Sequence, residues 1–284
     1  MRTTIDVQLS GGILRFLYQN PIGRGVLKIL TLPFLSVFCG KVLNSSISKI
    51  RIAPFVRKNQ IDLSRYENIE WKSFNDFFCR KLLPEYQQCD DRKIGELVSP
   101  CDAKLSVYRI REGLIMPIKE SAYTVASLIQ NEALAKQFQD GYAMVFRLTV
   151  DDYHRYCYPL SGTKESDIYI KGRLHTVRPI ALRSFPVFCE NSRSYTLLHS
   201  DIFGQVLQME VGALLVGRIV NHESSNTTVR AGEEKGYFEF GGSTIVLLIS
   251  KDTVILDSEL IENTVQGKET VVRYGEALGR AVSG

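Results

Sequence analysis

The spacing of apolar residues changes character near residue 97. Upstream, Phe74, Phe77, Phe78 and Leu82 recur at helical spacing and predict a helix over 71–83, with Ser73 as its cap and Pro84 as its stop. Downstream, runs rich in β-branched and aromatic residues predict strands over 97–108, 142–150, 195–198, 205–220 and 244–250, with turn residues between them. One helix, 124–137, interrupts them, with Val125, Leu128, Ile129 and Leu134 on one face. The reading is an α+β chain without internal repeats. A helical region, 1–85, precedes a mainly β core, 86–284, that is barrel-like or sandwich-like.

Residues 13–43 are rich in Leu, Ile and Phe but broken by Pro21, Gly23, Gly25 and Pro33, and they carry Arg15, Arg24, Lys28 and Lys41. The longest charge-free apolar run, 29–40, is about half of the ~20 residues that a bilayer crossing needs, and Pro33 lies inside it. Two readings fit these residues: helices lying in the headgroup region of a membrane, or a helical pair packed on the protein's own core.

Composition narrows the function. The 284 residues are 44% apolar and 23% charged, enough for a sizeable core. A net charge of +4 without a basic run gives no support to nucleic-acid binding but leaves an anionic surface open as partner. Cys39, Cys79, Cys89, Cys101, Cys157 and Cys189 form no CxxC pair and no zinc spacing with histidine, so no metal is expected. No secretory signal is seen, and reduced thiols are the expectation.

The stretch 236–250, GYFEFGGSTIVLLIS, reads as two strands joined at Gly241-Gly242 and followed by Ser243. A glycine pair there permits strained backbone and close approach, and by itself it is equally a simple bulge.

Four ordered stretches carry more: FNDFFCRKL (74–82), SPCDA (99–103), RLTVDDYHRYCYP (147–159) and EEKGYFEFGGSTIVLL (233–248). Three more, IKESAY (118–123), GRLHTVRP (172–179) and EVGALLVGRI (210–219), lie between them in order. Together they resemble the phosphatidylserine decarboxylases, over about residues 74–250.

The resemblance implies self-cleavage between Gly242 and Ser243. The products would be a beta chain, 1–242, and an alpha chain, 243–284, that stay together as a heterodimer, with Ser243 converted to a covalent pyruvoyl cofactor. The group would form a Schiff base with phosphatidylserine and release carbon dioxide and phosphatidylethanolamine, acting as the electron sink that no ordinary side chain supplies. A serine hydroxyl needs a base to attack the preceding carbonyl. The family's motifs place an Asp and a His at Asp102 and His154, with the imidazole oriented by the carboxylate.

Many members have a second histidine where this chain has Cys157, and Ala103 stands where Gly is frequent. His154 is the favoured base, because a thiol is a poor one unless its neighbours lower its pKa. Cys157 stays as the alternative, and His175 ranks second as proton donor. Asp151 or Asp152 could orient His154 instead; as strand neighbours they would face opposite ways, so that only one could point inward, and a solvated acidic turn is the favoured reading of the pair. Arg147, Arg155 and Lys119 are candidate phosphate partners. His199 and His222 match nothing and are expected at the surface or in structural roles.

With this chemistry, residues 13–43 read as a peripheral attachment to the cytoplasmic side of the cell membrane, and oligomerisation stays open. The alternatives are a pyruvoyl decarboxylase of another head group or of a free amino acid, and an uncleaved, non-catalytic lipid-binding relative.

Overall fold

Runs of Val, Ile, Leu and Phe too apolar to face water on either side end in the middle of a sheet, and Ser243–Ile249 does so here. The computed structural model describes residues 2–6, 16–17, 19–30, 33–87, 95–111, 114–118, 121–172, 187–212, 218–240 and 243–282. Among them a ten-stranded antiparallel sheet runs Thr4–Asp6, Lys268–Val272, Ala103–Arg109, Tyr142–Leu148, Ser243–Ile249, Gly204–Gly212, Arg193–Ser200, Gly162–Lys164 and Thr227–Val229, with Ile168–Ile170 also on Arg193–Ser200. Ile245 and Leu247 join Leu105, Phe146 and Phe238 on one face, while Val246 and Leu248 join Val145 and Met209 on the other. Burial on both faces explains the unbroken apolar run where a half-exposed strand would alternate.

Among the described residues there are also two three-stranded sheets, Ile219–Asn221, Glu234–Phe238 and Arg155–Cys157, and Val254–Leu256, Ala277–Ala281 and Glu96–Val98, and a two-stranded one, Leu114–Ile118 with Ser121–Thr124. The chain is α+β and mainly β.

Three expected elements are divided, among them the strand 205–220, which is Gly204–Gly212 and Ile219–Asn221 in different sheets, and a fourth is cut short. The strand 97–108 is two, Glu96–Val98 and Ala103–Arg109, in different sheets. Pro100 cannot donate to a ladder, and the Ser99 hydroxyl bonds the Cys101 carbonyl at 2.8 Å in the turn between. The helix 124–137 breaks at Gln130, whose φ is 53°; Asn131 then caps a second short helix by accepting from the Leu134 amide at 3.0 Å. The helix 71–83 is only Phe74–Phe78, capped by Ser73 as expected. It stops early because the following residues extend to pair Leu82 with Tyr66.

That helix is nonetheless a keystone for the upstream region. Phe74, Phe77 and Phe78 cluster with Leu43, Phe55, Trp71 and Phe240, joining the helices Pro33–Leu43 and Ile52–Asn59 to the β core. The strand Thr4–Asp6 pairs with Lys268–Val272, and Arg2 forms ion pairs with Asp257, Glu259 and Glu276.

Leu247 is fully buried in the central strand. Leu247→Ala should cost about 2–5 kcal/mol of unfolding free energy. Urea denaturation in an uncut Ser243→Ala background, where one chain unfolds and refolds, measures it.

Candidate functional site

Ser243 opens the central strand, opposite Gly212 on one side and Leu148 on the other. It is 0% exposed, and its hydroxyl has no hydrogen-bond partner among the described residues. Leaving a buried hydroxyl unpaired costs on the order of 1–3 kcal/mol, so such a group calls for an explanation, and a catalytic role is one. The flanking Gly212 brings no side chain against it.

The chain arriving at Ser243 is held from the N-terminal side. The Phe240 amide donates to Asn75 Oδ1 at 2.9 Å, and Asn75 Nδ2 donates to Asn44 Oδ1 at 3.0 Å. The Phe240 ring meets Phe74 and Phe78 edge to face, with centroids 5.2 and 4.9 Å apart. Thus the short aromatic helix grips the segment two residues before Gly242. Gly241 and Gly242 themselves lie outside the described residues, as do His175 and Lys119.

His154 lies where Arg155–Cys157 begins, and its carbonyl accepts from the Phe238 amide at 2.9 Å. The ring is fully buried, 4.0 Å from the Phe78 ring centroid. Nδ1 is 2.9 Å from the Asp152 carbonyl oxygen. A carbonyl only accepts, so Nδ1 carries the proton and Nε2 keeps its lone pair. Nε2 is also buried, without a partner among the described residues. Burial, helped by the positive charge of Arg80, pulls the imidazole down to about 3, so it is neutral at physiological pH.

Asp102 does not orient that ring. Its buried carboxylate accepts from Arg273 Nη1 at 2.9 Å and from the Tyr274 amide at 2.8 Å. It lines a polar cleft of about 410 Å³ with Lys104, Asp152, Tyr66 and Arg273. The ring is oriented instead by a main-chain carbonyl two residues away, a contact that local backbone geometry supplies without any carboxylate.

Of the adjacent pair, Asp152 is buried and Asp151 exposed. The Asp152 carboxylate accepts from Lys104 Nζ at 2.7 and 2.6 Å and from the Thr149 amide at 2.7 Å. Asp151 sits below the usual carboxyl range: partial burial raises it, but the Lys104 charge and the Thr149 hydrogen bond outweigh that.

Cys157 is fully buried among Tyr66, Leu82, Tyr153 and Tyr274, with its thiol 3.6 Å from the Ser99 carbonyl. Three residues along an extended chain, it faces the opposite side from His154, while Tyr156 shares the core that contains Ile245 and Phe238.

The two expected phosphate partners inside the described region are engaged within the protein: Arg147 with Glu269, and Arg155 with the Cys79 carbonyl at 2.7 Å and Glu234 at 2.6 Å. His199 and His222 sit in half-exposed pairs with Glu165 and Glu234.

Asn75 and Arg80 escaped the sequence reading. Asn75 is the polar residue on the buried side of an aromatic helix, a signal that could have been seen. Arg80 is 2% exposed, with its guanidinium against the rings of Tyr66 and Phe77; an arginine in a polar-looking FCRKL run carries no such hint.

Comparison with known proteins agrees with the motif order. The family model described as phosphatidylserine decarboxylase matches residues 74–280. "Phosphatidylserine decarboxylase proenzyme 2" of Clostridium acetobutylicum is 44% identical over 275 residues, 96% of this chain and 94% of that protein. The phosphatidylserine decarboxylase proenzyme of Clostridium botulinum strain 657 is 38% identical over 281 residues, covering 96% and 95%. That of Fusobacterium nucleatum is 37% identical over 276 residues, covering 95% and 92%.

The depressed His154 makes a pH prediction. Between about 3 and its usual 6.5 the unfolded chain binds a proton that the folded one refuses. Its contribution to stability is therefore full above pH 6.5 and falls as the pH drops, by up to about 1.4 kcal/mol per unit. In the Ser243→Ala background, His154→Gln should flatten the decline in melting temperature between pH 7 and pH 5; an unchanged decline would show the ring is not buried neutral.

Proposed function

The chain belongs to the phosphatidylserine decarboxylase family, and from that premise we propose how Ser243 becomes its catalytic group. The protein is a carboxy-lyase that converts phosphatidylserine to phosphatidylethanolamine and carbon dioxide. The observation that carries the proposal is that the two atoms the first step needs, Ser243 Oγ and His154 Nε2, are both buried and both without hydrogen-bond partners among the described residues.

In that step His154 Nε2 takes the hydroxyl proton while Ser243 Oγ attacks the carbonyl carbon of Gly242. The Gly242–Ser243 amide bond breaks and an ester forms in its place. Loss of the Ser243 α-proton then expels Gly242 as a carboxylate, and water releases ammonia and leaves a pyruvoyl group at residue 243. A neutral imidazole with a free lone pair suits the first proton transfer, and the side-chain-free Gly212 leaves room beside the hydroxyl. The pyruvoyl ketone supplies the electron sink for decarboxylation. His154 serves as base in maturation, His175 is the second candidate for returning a proton to the product, and Cys157 is the alternative base. Asp102 holds the Arg273–Tyr274 turn.

The products stay together as beta chain 1–242 and alpha chain 243–284. Two strands of the smaller piece lie between strands of the larger: Ser243–Ile249 between Gly204–Gly212 and Tyr142–Leu148, and Lys268–Val272 between Thr4–Asp6 and Ala103–Arg109.

Residues 1–85 bring this site to the cytoplasmic face of the cell membrane as a peripheral attachment. Ile22, Val26, Phe38, Val42, Ile47 and Ile50 are exposed there, close in sequence to Arg24, Lys41, Lys49 and Arg51. Exposed apolar side chains with basic neighbours suit an anionic lipid surface. No helix among the described residues is long and apolar enough to cross a membrane.

The purified protein should give two masses under denaturing conditions that sum to about the 32.1 kDa precursor, the smaller one starting at a blocked residue 243. Ser243→Ala should remain whole and inactive. His154→Ala should cleave at least about a hundredfold more slowly, with Cys157→Ala much less affected. Normal cleavage of the His154 variant transfers the role of base elsewhere.

A further inference from the structure

Glu210 and Lys235 form an ion pair from which water is excluded. Both side chains are 0% exposed, and Lys235 Nζ lies 2.7 Å from each carboxylate oxygen. Nothing in the chemistry above uses either residue. Desolvating two charges cancels most of their attraction, so such a pair is weak evidence for stability.

Its position supplies another reason. Glu210 pairs across the strands with Ile245, and Gly212, two residues on, pairs with Ser243. Alternate residues share a face, so Glu210 stands on the same sheet face as Ser243 and one row away.

Lys235 comes from the opposing three-stranded sheet. There Glu234 pairs with Cys157 and Gly236 with Tyr156, which makes Lys235 the extra residue of a β-bulge. A bulge re-aims a side chain, and this one delivers an ammonium into the interior.

The other two strands of the small sheet join the same network. Asn221, on one of them, donates to Asp167 at 2.6 Å and accepts from Tyr156, on the other, at 2.9 Å. Lys164 pairs with Asp167 at 3.1 Å. Gln208 Nε2, on the large sheet, donates to the Cys157 carbonyl at 3.2 Å, so each strand of the small sheet has a polar tie to the large one, that of Asn221 running through Asp167 and Lys164. The small sheet carries His154 at the start of one strand and, at the end of another, the chain that leads to Gly242; the large sheet carries Ser243.

We propose that Glu210 and Lys235 are positioning residues for self-cleavage, locking the sheet that bears His154 and the approach to Gly242 in register over Ser243. The inference rests on the roles given above to Ser243 and His154. Apolar packing between the sheets, in the cluster to which Phe238 and Ile245 both belong, is non-directional and tolerates small slides. A bidentate ion pair in a dry interior has one geometry, and attack of Oγ on a carbonyl carbon needs one geometry.

The test replaces the pair together. Glu210→Leu/Lys235→Met keeps the volume and removes both charges, a change that is neutral or stabilising where a buried pair serves no purpose. The expected result is a melting temperature at or above wild type with cleavage slowed about tenfold or more. Hydroxylamine, which cleaves esters, should not restore the cut, because the block precedes the ester. Glu210→Gln/Lys235→Gln, which retains a hydrogen-bonded tie, should recover most of the rate.

Two results overturn the inference: a paired apolar variant that cleaves at wild-type speed, and one that fails to fold, which makes the pair a stability element. Failure of the underlying reading looks different, since Ser243→Ala would then still be cut between 242 and 243.

Discussion

The seat of Ser243–Ile249 between Gly204–Gly212 and Tyr142–Leu148 is the constraint on which the rest depends. Seven consecutive residues are hydrogen-bonded on both edges and buried on both faces, so the first of them cannot move independently of the core. A serine placed there is denied water, and its hydroxyl finds no partner among the described residues, where an exposed serine would find solvent. Chemistry at the start of this strand therefore inherits the rigidity of the whole sheet.

The opposing elements answer that constraint from the other side. His154 and the strand Glu234–Phe238 belong to a separate small sheet, and the helix Phe74–Phe78 closes over both through Phe78 and Phe240. Burial has a second effect on the imidazole. With Nδ1 held by a main-chain carbonyl and the charged form disfavoured by desolvation and Arg80, the ring presents a lone pair at neutral pH. The base proposed above needs no carboxylate behind it, and Asp102 instead fastens Arg273 and Tyr274.

The same burial makes the ion pair between Glu210 and Lys235 informative. In a core rich in Leu, Ile and Phe, two charges persist one row from Ser243. Directional contacts of this kind do what apolar packing cannot: they select a single relation between two layers that would otherwise be held only by area.

Local pattern alone was enough for much of this protein. The runs of β-branched residues, the Ser73 cap, the Gly-Gly-Ser-Thr junction and the order of the family motifs are all properties of neighbouring residues, and each marked its element or the family correctly, though several element ends were misplaced. Where a local signal competed with a turn, as at Pro100 or Asn131, an expected element proved to be two. The contacts of Asp102, the tautomer of His154, the facing of Cys157 and the meeting of Lys235 with Glu210 depend on residues as much as 172 positions apart, on a bulge that no spacing announces, and on desolvation, which exists only once the sheets have closed on one another. Sequence determined which residues could do the chemistry; tertiary structure decided which of them touch and which hold a charge, because burial and cross-strand neighbours are properties of the folded chain.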